Sequence, residues 1–119
     1  MVEQKEILTR GGVYLAKLDP TKGAEFGKIR PIVILNSQSI LDITPPTVFI
    51  CPLSSKSQPE FQHLHVKIPP RDNLQVSSYA LVEHCRSISI RRINFPRLAQ
   101  LTDSELRLVL HRLQRLVEE

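Results

Sequence analysis

Tryptophan is absent from this chain, methionine occurs once, and 119 residues include only two cysteines and four glycines. Each scarcity excludes something. Two cysteines, Cys51 and Cys85, cannot build a disulfide-dense scaffold, and no Cys or His pair has zinc-finger spacing. Both lie inside apolar, strand-like runs, the setting of buried and reduced thiols. No apolar run approaches the ~20 residues that a membrane span needs. Met1 to Thr9 has no apolar core of signal-peptide length. The expectation is a cytoplasmic protein with no membrane partner, no metal and no cofactor. The six aromatic residues, scattered from Tyr14 to Phe95, are too dispersed to line an SH3-type peptide groove.

What is present is ordinary for a folded domain. The hydrophobic fraction is 41%, too high for disorder. A chain of this length buries roughly two-thirds of its unfolded surface, enough for one self-sufficient domain over residues 1–119. The net charge is +4, which suits a phosphate-rich partner without requiring one.

The stretch from Leu18 to Pro31 organises the rest. Apolar runs flank it, Val13 to Leu18 before and Ile32 to Leu35 after, so it reads as a long charged loop between two strands. Hairpin loops are usually two to five residues, and one of roughly a dozen points to function. Pro31 biases Arg30 towards extended backbone, so the guanidinium leaves the second strand from a fixed place. Gly11-Gly12 frees the backbone before strand one. Strands then follow at Pro31 to Asn36, Thr47 to Leu53, His63 to Ile68 and Ser78 to Ile88, with Pro52 ending the third. A helical turn is expected at Ile90 to Ile93 and a brief strand at Arg97 to Leu101. Within His63 to Ile68, period-two alternation puts His65 and Lys67 on the exposed side, and His63, His65 and His111 all read as surface residues. Thr102-Asp103-Ser104-Glu105 has capping-box form. Leu106, Val109, Leu110, Leu113, Leu116 and Val117 then recur at helical spacing. Five or more short strands and one terminal helix predict a mainly β fold, a small barrel with a C-terminal α-helix packed on it.

Asp19-Pro20-Thr21-Lys22-Gly23-Ala24-Glu25, Gly27 and Arg30-Pro31 together resemble the MazF/PemK toxins, the endoribonucleases of toxin–antitoxin systems. The resemblance continues through Pro46-Thr47-Val48, Pro52-Leu53-Ser54-Ser55 and Tyr79 to Ile88, and into the last helix. It implies an SH3-like β-barrel of the MazF/CcdB type and a homodimer. It also implies sequence-specific, metal-independent cleavage of single-stranded RNA, mRNA in particular. A cognate antitoxin would block the RNA groove with an acidic, partly disordered tail.

RNA can be cut by its own 2′-hydroxyl if a carboxylate, a fixed cation and a hydroxyl donor are supplied. The resemblance assigns these roles to Glu25, Arg30 and Ser54. Arg30 is the electrostatic stabiliser, since a guanidinium grips phosphate oxygens with two prongs and stays charged. Glu25 is the candidate base, in a motif where Ala24 stands for the serine of relatives. Ser54 aligns with a serine or threonine that completes the site. RNA-binding residues are expected at Lys22, Phe26, Lys28, Lys56, His84 and Arg86, with base readout in the loops 38–45 and 56–62. His84 stands where relatives usually carry glutamine, and Phe26 replaces another; the first can exchange protons and the second can stack on a base. Arg71 and Arg92 read as further phosphate contacts. The competing readings are a CcdB-like gyrase inhibitor, which the missing tryptophan disfavours, and an inactive RNA-binding barrel.

Overall fold

The computed structural model describes residues 6–18 and 29–118, and in them seven strands form one antiparallel sheet. In chain order the elements are β1 (Gly12–Lys17), β2 (Ile29–Ile34), α1 (Gln38–Asp42), β3 (Thr47–Ser54), β4 (His65–Ile68), β5 (Ser78–Leu81), β6 (Arg86–Ser89), β7 (Ile93–Gln100) and α2 (Asp103–Val117). The strand order is β4-β5-β3-β2-β1-β7, with β6 beside the first half of β3. The fold is thus mainly β with a C-terminal helix, and β4 and β7 are the two unjoined ends of that order.

Alternation along the central strands sends side chains into two separate cores. Val13, Val33, Cys51 and Leu53 share one face, where Leu106 and Val109 of α2 cover them. Tyr14, Ile32, Ile34 and Ile50 share the other, with Leu8 and Leu41 packed against them. β2 is therefore buried on both faces over Ile32–Ile34 yet open at its start, where Ile29 is exposed and Arg30 and Pro31 half-buried.

Gly11 and Gly12 earn their places by geometry. Gly11 has φ +75°, a left-handed conformation. A Cβ on Gly12 would fall 2.9 Å from the Thr9 carbonyl oxygen. The capping box of α2 forms as the sequence predicts: Thr102 Oγ1 accepts from the Glu105 N–H at 3.1 Å, and Glu105 accepts from the Thr102 N–H at 2.9 Å. Leu106 and Val109 are buried and Leu110 and Leu113 pack beside them, whereas Leu116 and Val117 lie beyond the core and are exposed.

Several elements differ from expectation. The stretch 78–88 is two strands, not one: β5 pairs with the end of β3 and β6 with its beginning, and a 3₁₀ turn at Val82–His84 makes the step between them. Pro52 does not end β3; it lies opposite Ile32, and the strand runs on to Ser54. A short helix, α1, occupies what reads as a plain connection. The last strand is eight residues long rather than brief, because β7 pairs with β1 at both ends around a register shift. Residues 59–64 form a 3₁₀ helix, so β4 begins at His65.

Candidate active site

The register Ile32↔Pro52, Val33↔Cys51, Ile34↔Ile50 joins β2 to β3. Continued two residues, it carries Arg30 opposite Ser54. Both line an open cavity of about 530 Å³, to which α2 contributes no lining residue. Its floor is apolar, from Leu15, Ile29, Pro31 and Leu53. Its far wall comes from the segment between β4 and β5, which presents Asn73, Gln75 and Val76. Two residues that the sequence assigned to catalysis are thereby brought together from positions 24 apart in the chain.

The Ser54 hydroxyl oxygen accepts the Lys56 N–H at 3.2 Å. With its lone pair engaged, its own proton is available to a ligand in the cavity. Lys56 is exposed in the turn after β3, outside the lining. His84, exposed, and Arg86, half-buried on β6, also lie outside it. Glu25, Lys22, Phe26 and Lys28 fall in 19–28, outside the described residues.

Asn73 and Gln75 carry no signal in the sequence, since nothing in their spacing ties them to Arg30 or Ser54. Their segment is firmly held. The Arg71 guanidinium donates two hydrogen bonds to the Glu105 carboxylate, one of them from Nη2 to Oε2 at 2.6 Å, and others to the Pro69 and Gln100 carbonyls. The Asn73 N–H bonds the Leu98 carbonyl at 3.0 Å. Burial raises the Glu105 carboxyl, but the Arg71 hydrogen bonds and the Thr102 N–H outweigh it and hold the group below the usual carboxylate range. Arg71 is thus a structural anchor, not the phosphate contact expected of it.

His65 is also not the surface residue that alternation predicts. It is 7% exposed. Its Nε2 lies 2.7 Å from Glu83 Oε2 and its Nδ1 2.6 Å from Ser57 Oγ. Each ring nitrogen thus has a polar partner. The physical reason for the miss is distance: Glu83 arrives from a 3₁₀ turn 18 residues further on. This relay ties the turn that begins at Ser54 back to the sheet. His63 and His111 are exposed, as expected. Cys51 is buried and Cys85 half-buried, both free. A hydrogen bond that the Cys51 thiol donates to Cys85, then burial, push that thiol up, so it stays protonated.

The chain thus presents a small antiparallel sheet with a terminal helix, and an open cleft that Arg30 and Ser54 both line. The chain belongs to the PemK-like, MazF-like toxins of type II toxin–antitoxin systems, whose family model matches residues 9–117. It is 31% identical over 102 residues to the endoribonuclease MazF of Staphylococcus saprophyticus, covering 85% of this chain and 83% of that protein. The crystal structure of MazF from Deinococcus radiodurans superposes with a TM-score of 0.79 at 26% identity, covering 95% and 98% of the two chains. The MazE–MazF complex from the same organism gives 0.73 at 23% identity, covering 95% and 97%, a likeness of fold. The Mycobacterium tuberculosis toxin MazF-mt6 gives 0.70 at 15% identity, covering 87% and 93%, likewise of fold.

Proposed function

We propose that this endoribonuclease toxin cuts single-stranded RNA, mRNA in the cytoplasm, at the cleft between Arg30 and Ser54, without a metal. The observation that carries this is that Arg30 and Ser54, from the paired strands β2 and β3, both line one open cavity. The substrate's 2′-oxygen attacks the adjacent phosphorus. A 2′-O–P bond forms and the P–O5′ bond breaks, giving a 2′,3′-cyclic phosphate and a 5′-hydroxyl. The Arg30 guanidinium stabilises the charge that grows on the phosphoryl oxygens. The Ser54 hydroxyl donates to one of them. Glu25 takes the 2′ proton, and the departing 5′-oxygen takes a proton from water to become the 5′-hydroxyl. Lys22, Phe26, Lys28, Lys56, His84 and Arg86 bind the RNA strand. The side-chain amides of Asn73 and Gln75 suit the reading of a base edge.

The seven strands are read as an SH3-like barrel in one domain, because β3 gives its edge first to β6 and then to β5 and so curls the sheet. A homodimer is the working unit, and an antitoxin is the protein partner, as in the MazE–MazF complex. Incubation of the purified protein with a long RNA in EDTA tests the mechanism. Cleavage should persist, and the cut ends should be a 5′-hydroxyl and a cyclic phosphate or its hydrolysis product. Complete loss of cutting in EDTA, restored by magnesium, would refute it.

A further inference from the structure

A second cavity, of about 450 Å³, opens beside the first. Ile29 lines both and is 57% exposed. The two lie along one face of the sheet. Leu15 and Lys17 point the same way on β1, and so do their partners Pro31 and Ile29 on β2. Leu15 and Pro31 belong to the first cavity, Lys17 to the second. Because Ile29 lines both cavities, the surface of the first, which Arg30 and Ser54 also line, continues to Lys17.

The far end of that surface is cationic. Arg91 and Arg92 enter it from the 3₁₀ turn at Ile90–Arg92, whose start is fixed where Ser89 Oγ accepts the Arg91 N–H at 3.2 Å. Among the described lining residues three are positive and none is negative. Like charges brought together repel, and an anion seated between them relieves the repulsion. Guanidinium and ammonium groups together suit phosphate oxygens.

We infer that this cavity is a phosphate subsite, which binds the backbone of the same RNA strand beyond the cleavage point. The strand runs from the Arg30–Ser54 cleft over the exposed Ile29 side chain and on to Lys17 and Arg91. The inference rests on reading the cleft as the RNA site. RNA is favoured over an acidic peptide because its phosphates recur along one strand, which suits cations that continue the cleft the strand already occupies.

The test is binding across a salt series. The probes are labelled 2′-O-methyl RNAs, which lack the attacking hydroxyl, in a short form that fills only the cleft and one about three times longer. The variants are Lys17→Gln, Arg91→Gln and the double change, with Arg91→Lys as the charge-keeping partner. Arg107→Gln, on the exposed side of α2, is the control. Circular dichroism melts confirm folding. Each lost phosphate contact should reduce the slope of log affinity against log salt by about 0.7 for a single strand. The long RNA should show this reduction, twice over in the double variant; the short RNA and the control should not, and Arg91→Lys should restore it. An unchanged slope for the double variant, or an equal loss on the short RNA, would overturn the subsite. So would variants that bind RNA normally but lose a poly-glutamate peptide, which would make the cavity a protein-docking site. Wild type that binds as described but cuts no RNA would sink the cleavage reading and leave this one standing. Wild type that binds no RNA would sink both.

Discussion

Two stretches of one sheet face, only a few residues apart, meet opposite fates. At one end Val13, Val33 and Cys51 lie under α2 and are fully buried. At the other, Leu15, Pro31 and Ile29 emerge from beneath the helix and line the cleft. The strands and their alternation are the same; the cover differs. At the covered end a side chain matters through packing, so its loss is read in stability. At the open end it matters through what it offers a ligand, so its loss is read in rate or affinity.

The largest expected effect is at the open end. Arg30→Ala should slow single-turnover cleavage at saturating enzyme by about a hundred- to a thousand-fold, the worth of one donor at developing charge. Arg30→Lys should rescue only in part, since it keeps the charge and loses the two-pronged grip. Wild-type cleavage by Arg30→Ala once RNA is saturated would make Arg30 a binding residue. The thermal midpoint should move little.

The covered end should behave in reverse. Leu106→Ala leaves a hole between α2 and the sheet and should cost about 2–4 kcal/mol in denaturant unfolding. The rate of the folded fraction should hold near wild type. A large fall in that rate would mean that α2 acts on the cleft and not merely on the fold.

The link between the ends is Arg71–Glu105, which ties the Asn73–Gln75 wall to α2. The Glu105 carboxyl is depressed in the folded chain, so it contributes stability above its unfolded value near 4.3 and loses it as pH falls through the lower folded value. The melting temperature should therefore drop as pH falls below about 5. Glu105→Gln should start lower at neutral pH and drop less in that window. Identical pH profiles for the two proteins would remove the pair from acid unfolding. The smallest effect is Thr102→Ala, which removes the helix cap and should cost about 1 kcal/mol in the same melts, with no change in cut sites.

Much of this was legible in the chain. The capping box at Thr102–Glu105 is a contact between residues three apart, so sequence spacing contains it. The strands around Leu18 to Pro31 announced themselves by apolar runs, and Arg30-Pro31 marked where the second begins. His65 was not legible. Alternation assigned it to the outside with Lys67, and only the arrival of Glu83 and Ser57 makes burial of an imidazole favourable, because each ring nitrogen then has a partner. The single strand expected over 78–88 failed for a related reason: what divides it is the change of neighbour along β3, which no local pattern carries.

By itself the sequence determined the local elements, the reduced cysteines, and the residue types at the cleft, because these follow from propensity, spacing and side-chain chemistry. Only the tertiary structure decided that Arg30 and Ser54 would line one cavity, that Asn73 and Gln75 would wall it, and that Ile29 would join it to Lys17 and Arg91. Those juxtapositions depend on strand register and on where α2 stops covering the sheet, and both are set by packing between residues far apart in the chain.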